Sequence, residues 1–217
     1  QAFRATTVSD AVSDLEGLAG DFEIDGKVFR KLHVGAIGRY QAGNARIALQ
    51  ALGTLGAVRE QFRVGDGAIR RGFSSLKRLT GFSGRLQLLG REPLIIADVA
   101  HNPDGTRALV GALRELHTGK FRIVFGVVRD KEFGPMIDLL RPVARMFYFV
   151  RAGAARSRDP RDLVGHSHLR QCPALLAGTV DRGIRQAIGE NGGRDPILIT
   201  GSHYVVGEAM QALHVTV

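Results

Sequence analysis

The stretch Leu94-Ile95-Ile96-Ala97-Asp98-Val99-Ala100-His101-Asn102-Pro103-Asp104-Gly105 runs an apolar strand directly into a polar cluster that opens a helix. The segment from Leu94 to Ala97 does not alternate, which is the pattern of a strand covered on both faces. Asn102 and Pro103 then supply an N-cap and a first helical residue. Asp98, His101 and Asn102 accordingly project at the carboxyl end of a strand, the crevice in which open α/β sheets hold ligands. A carboxylate, an imidazole and a helix N-terminus suit an anionic ligand there. The same residues equally suit a capped turn with a packed histidine.

Outward from this stretch, strand and helix alternate from Phe82 onward, the rhythm of a doubly wound, mostly parallel sheet flanked by helices. Strands are expected at Arg85–Leu89, Leu94–Asp98, Arg122–Val128, Met146–Val150 and Ile197–Thr200. Helices are expected at Pro103–Leu116, Phe133–Ala144, Val180–Glu190 and Tyr204–Leu213. Arg151 to Gln171, rich in Arg and containing Asp159-Pro160, reads as a long mobile connection with a short helix near Arg161 to Val164. Before Phe82 the pattern differs. Asp21–Ile24 and Lys27–Leu32 flank Asp25-Gly26 as a hairpin. Ala45, Ala48, Leu49, Leu52 and Leu55 recur at helical spacing as a core-facing stripe, and Ile69, Phe73 and Leu76 do so in a bridging segment.

Composition bounds the function without choosing it. The chain has 217 residues and 44% hydrophobic content, enough to bury a core. No apolar run approaches the roughly 20 residues of a membrane span, so no membrane partner is expected. The single Cys172 leaves no internal disulfide and points to a reducing cytoplasm. A net charge of +9 raises nucleic acid as a partner, but the basic residues are scattered, only five of the 30 are lysines, and no aromatic ladder interleaves with them. The charge reads instead as a solvated surface that can attract small polyanions. The histidines show no paired metal-ligand spacing, and His166-Ser167-His168 is too little for a zinc site. No metal ligand is named.

Five stretches, taken in order, carry a family resemblance. Asp98 to Pro103 resembles the D-x-A-H-N-P signature of folylpolyglutamate synthase and dihydrofolate synthase, a branch of the Mur ligase superfamily. Gly38 to Ala45 resembles its G-x-x-Q-x-x-N-A motif, and Ser83-Gly84-Arg85-Leu86 its P-G-R-[LF] motif with Ser in place of Pro. Val124 to Glu132 resembles V-x-G-x-x-x-D-K-[DE], and Gly201 to Glu208 resembles G-S-x-Y-x-V-G-E. The resemblance implies a C-terminal glutamate-ligase domain over 82–217, a linker over 66–81, and over 1–65 the tail of the central ATPase domain. It further implies that the chain corresponds to the second half of the family's architecture. The ATPase domain's phosphate-binding loop has the form G-x-x-x-x-G-K-[ST]. Nothing between Gln1 and Val217 matches it: Gly26-Lys27 and Gly119-Lys120 lack the upstream glycine and continue into Val28 and Phe121. The chain alone is therefore expected to be inactive.

The resemblance implies an enzyme that uses ATP and Mg²⁺ to join L-glutamate to dihydropteroate or a reduced folate through an acyl phosphate, as a cytoplasmic monomer. The Mg²⁺ ligands fall in the ATPase half. Carried over by position, Asn44 contacts adenine, Arg85 reaches the ATP phosphates and acts in catalysis, and Asp98 holds ribose hydroxyls or orders the arginine. His101 lies near the incoming glutamate and is catalytic; Ser202 and Arg156 bind glutamate, Arg156 standing in a run with Arg151, Arg158 and Arg161. Asp130 and Lys131 match a family loop but read more simply as a surface ion pair. Val99 stands where glycine is commoner. The alternatives are a peptidoglycan Mur ligase, which shares architecture and chemistry, and a non-catalytic nucleotide- or nucleic-acid-binding module.

Overall fold

Leu94–Asp98 forms β5 of a six-stranded sheet in a computed structural model that describes residues 7–24, 26–167 and 172–215. Contacts divide the chain into two units, the first ending at Ser83 and the second beginning at Gly84.

The first unit opens with an antiparallel meander of β1 (Thr7–Asp14), β2 (Gly17–Ile24) and β3 (Lys27–Val34). The expected hairpin is its second half; Asp25 lies outside the described residues, and β1 was not among the expected strands. Helix α1 (Gln41–Val58) lays Ala42, Ala45 and Leu49 on the sheet, joined in the core by Phe22, Phe29 and Leu32. The buried stripe is narrower than the periodicity suggests: Leu55 is 50% exposed. Helices α2 (Asp66–Ser74) and α3 (Leu76–Thr80) cover the segment expected to be a linker. They belong to the first unit, because Ile69 is buried in its core, Phe73 and Leu76 pack on it, and Lys27 pairs with Asp66. The Ile69, Phe73 and Leu76 spacing is that of a packed face rather than of a free bridge.

In the second unit β4 (Gln87–Arg91) pairs antiparallel with β5, and the other strands are parallel: β6 (Phe121–Phe125), β7 (Ala144–Arg151), β8 (Ala174–Thr179) and β9 (Ile197–Thr200), in the order β4-β5-β9-β6-β7-β8. Helices α4 (Pro103–Leu116), α5 (Phe133–Leu140), α6 (Pro160–Ser167) and α7 (Val180–Gly189) connect them, and α8 (His203–Ala212) follows β9. Strand β8 has no counterpart among the expected strands; its burial is intermittent, as suits an edge strand. Ile95, Val124, Val150, Ile197 and Ile199 meet α7 and α8 through Ile184, Val205 and Ala209. The intervening residues Ile96, Ile123, Phe147 and Leu198 face the other side of the pleat and are fully buried there. Burial of both faces explains the non-alternating run that marked β5.

The 151–171 connection is more ordered than the sequence suggests. Arg129 N–H donates to Arg156 O and Arg158 N–H to Val127 O, both at 2.9 Å, which zips the loop after β7 to the loop after β6. Val128 and Ser157 form a bridge, Leu163 of α6 is fully buried, and Arg158 lies 4.9 Å from the Phe133 ring centroid. Residues 168–171, including His168, lie outside the described residues.

Candidate active site at the carboxyl ends of the strands

The chain passes from β5 outward through β6, β7 and β8, then returns to place β9 between β5 and β6. The loops after these strands therefore meet over one crevice, as expected where strand order reverses. A cleft of about 410 Å³ opens there, lined by His101, Lys131, Arg156, Ser202, His203 and Tyr204 together with Val128. Its size suits a small amino acid or dicarboxylate.

Asn102 caps α4 as the sequence implies, its Oδ1 accepting from Gly105 N–H at 2.7 Å, with Pro103 in the first turn. That cap fixes His101 at the crevice. The His101 Nδ1 lies 3.0 Å from Val99 O, and as a carbonyl can only accept, the Nδ1 carries the proton. The neutral ring then keeps an acceptor lone pair on Nε2.

Asp98 is almost wholly buried, and its carboxylate accepts from the backbone: Oδ2 from Leu86 N–H at 2.9 Å and Oδ1 from Ala100 N–H at 2.8 Å. The carboxylate braces the turn that carries Arg85. That turn is tight. Gly84 takes φ +70°, and a Cβ added there would stand 2.7 Å from Val99 Cγ1. Leu86 also has a positive φ of 44° and is fully buried, a costly backbone for a non-glycine residue that the Asp98 bond offsets. Between them Arg85 stands exposed, with no ion-pair partner among the described residues. Val99 is accommodated because its side chain packs over a glycine.

Ser202 caps α8, its Oγ accepting from Val205 N–H at 3.2 Å, which turns the first residues of that helix, His203 and Tyr204, into the cleft. Gly201 permits this approach: at φ +110°, a Cβ would lie 2.4 Å from Gly126 O. On the far wall Arg156 donates to Asp130 Oδ1 at 2.8 Å, whereas Lys131 stays 3.9 Å from Asp130. The expected Asp130–Lys131 ion pair is present but loose, the tighter contact runs across two loops to Arg156, and Lys131 lines the cleft. Arg156 holds the Asp130 carboxyl below the usual carboxylate range. Arg161 is tied to Asp159, holding it down at about 2, and Arg158 is committed to the loop, so Arg156 is the arginine of its run that reaches the cleft.

The cleft is thus cationic. Burial, then repulsion from His101 and Arg85, lowers the His203 pKa, and the two imidazole rings stand 5.4 Å apart. Sequence reasoning names His101, Ser202 and Arg156 here and reads Lys131 with Asp130 as a surface ion pair, but it passes over His203 and Tyr204. The Gly-Ser cap after β9 is the signal that could have found both, since it dictates which residues form the helix's first turn. Asn44 lies in the first unit, exposed in the first turn of α1, where its Nδ2 donates to Gln41 Oε1 at 2.8 Å and does not cap the helix. Among the described residues no three His, Cys, Asp or Glu side chains assemble as a metal cage, and no helix is long and apolar enough to cross a membrane.

Comparison with known proteins bears directly on this cleft. Residues 84–203 match the family described as Mur ligase, glutamate ligase domain. A probable bifunctional folylpolyglutamate synthase/dihydropteroate synthase of Haloferax volcanii is 32% identical over 80% of this chain and 20% of its own length. The folylpolyglutamate synthase of Lacticaseibacillus casei is 30% identical over 87% of the chain and 42% of its own. Among solved structures, Mycobacterium tuberculosis folylpolyglutamate synthase complexed with ADP and AMPPCP superposes with a TM-score of 0.83 at 25% identity, over 97% of this chain and 48% of that one. A bifunctional folylpolyglutamate synthase/dihydrofolate synthase with Mn, AMPPNP and L-glutamate bound gives 0.74 at 27% identity, over 97% and 46%. The chain spans less than half the length of each of these relatives.

Proposed function

Because the chain belongs to the Mur ligase family through its glutamate ligase domain, we propose that it supplies the amino-acid-binding half of an ATP-dependent ligase that joins L-glutamate to dihydropteroate or a folate. The observation that carries this reading is the cleft itself: Arg156, Lys131 and the capped N-terminus of α8 face one another across a space the size of a small dicarboxylate. Guanidinium and ammonium groups pair with the carboxylates of the amino acid, Arg156 as a planar fork and Lys131 as a point charge.

A carboxylate is a poor electrophile, and phosphorylating it supplies a leaving group for amide formation. The protein's part is positioning and charge stabilisation. Arg85 fits that part, since an exposed guanidinium on a turn braced by a buried carboxylate meets negative phosphate without having to be reorganised. Asp98 then acts by ordering Arg85, and the exposed amide of Asn44 is suited to a base edge. The described residues provide no metal cage, so no step is assigned to a divalent ion held by this chain. Without a phosphate-binding loop the 217 residues alone should not turn over.

The test is glutamate-dependent ADP release by the full-length gene product, offered dihydropteroate, tetrahydrofolate and a muramoyl-peptide precursor in parallel. Release with either pterin establishes the folate ligase and its preferred step. Release with the muramoyl substrate alone moves the protein to the peptidoglycan branch, and silence with all three overturns the ligase reading.

A further inference from the structure

Amide formation from an amino acid requires a group that removes a proton from its ammonium, and the cleft holds few candidates. Arg85, Lys131 and Arg156 are cations with no proton-accepting role, the Ser202 hydroxyl is engaged as a cap, and Asp130 is bound to Arg156. Tyr204 presents a phenolic hydroxyl, which offers the site a hydrogen-bond donor. Two imidazoles remain. The His101 ring is held by Val99 O through Nδ1, which leaves Nε2 as the nitrogen open to a proton, and the His203 ring, from the first turn of α8, stands 5.4 Å away at 43° with no hydrogen-bond partner among the described residues. Two such rings, 5.4 Å apart beside Arg85, cannot both carry charge cheaply, so a proton on one opposes a proton on the other.

We propose that His203 acts with His101 as the proton-accepting pair for the ammonium group of the incoming amino acid. This rests on the ligase reading above. Of the three ammonium protons, one passes to the imidazole pair, one leaves with the phosphate as the C–N bond forms and the C–O bond to phosphorus breaks, and one stays on the amide nitrogen. His101 is fixed by its carbonyl and presents the lone pair; His203 shares the proton once taken. Burial, then the His101 and Arg85 charges, lower the His203 pKa from its ordinary value, which favours the ring as a proton acceptor. The fixed cations Lys131 and Arg156 add to that field, against the single carboxylate of Asp130.

Two measurements test this. In the 217-residue chain, the Cε1–H resonances of His101 and His203 followed by NMR should titrate in two coupled steps, and His203→Gln should leave one simple step for His101; independent titrations in the parent chain would overturn the pair. In the full-length gene product, His203→Gln should lower kcat/KM for glutamate about tenfold near neutral pH, less than the full worth of general base catalysis because His101 remains to accept the proton. The deficit should close as pH rises toward the amine's own pKa, where solvent deprotonates the substrate. A loss equal at every pH, or none, overturns the proposal while leaving the ligase reading intact. Inactivity of the parent enzyme toward every acceptor and amino acid would sink the ligase reading and this inference with it.

Discussion

Asp98 shapes the site from a buried position, bracing the turn that carries Arg85. Both carboxylate oxygens accept backbone N–H groups, one of them from a residue at positive φ, so removing the carboxylate leaves buried amides unpaired. Asp98→Ala should cost on the order of 2–4 kcal/mol in urea unfolding, two lost bonds at the usual cost of an unsatisfied buried group. Arg85→Ala, at an exposed side chain, should leave the unfolding midpoint nearly unchanged while depressing ADP release by the full-length product. His203 gives a second residue-scale expectation. Its folded pKa lies below the ordinary 6.5, so the folded chain binds this proton less readily than the unfolded one. The native state keeps its full margin above that ordinary value and loses part of it as pH falls through the lower, folded value. His203→Gln should flatten that acid-side slope in unfolding curves taken across the range.

At the scale of elements, two caps and one glycine set the cleft. Asn102→Ala should cost about 1 kcal/mol, the usual worth of an N-cap, and loosen the start of α4 beside His101. Gly201→Ala is the harsher change, because its φ of +110° and the 2.4 Å approach to Gly126 O leave a Cβ nowhere to go. A loss of roughly 2–3 kcal/mol, or insoluble expression, is expected on the scale of a strained backbone, and a midpoint within error of the parent would refute the reading of that turn. Away from the cleft, Tyr148 donates to Glu190 Oε2 at 2.8 Å and accepts from Arg122 at 2.6 Å, and its hydroxyl pKa is pushed up to about 12, first by burial and then by Glu190. This network lies near the amino ends of the strands and ties β6, β7 and the end of α7 together, a structural use of ionisable groups.

For the whole molecule, the two units have separate cores, one built on the meander and α1, the other on the six-stranded sheet. A chain beginning near residue 82 should therefore fold alone and show dispersed amide resonances; collapse to a molten spectrum would mean that the second unit depends on the first. The sequence by itself determined the class of sheet, because an apolar strand that does not alternate must be covered on both faces, and it determined the cap at Asn102, because capping is local chemistry. It also carried the family, since ordered motifs survive in one dimension. It did not determine that residues 66–80 pack as part of the first unit, that β8 forms an edge, or that α1 buries so narrow a stripe, since each depends on neighbours distant along the chain. Only the tertiary structure decided that Asp98 faces the backbone of residues 86 and 100, that Asp130 takes its closest cation from Arg156 and a looser one from the adjacent Lys131, and that His203 comes beside His101. Those pairings cross 12, 26 and about 100 positions, and the return of β9 between β5 and β6 brings the last of them together.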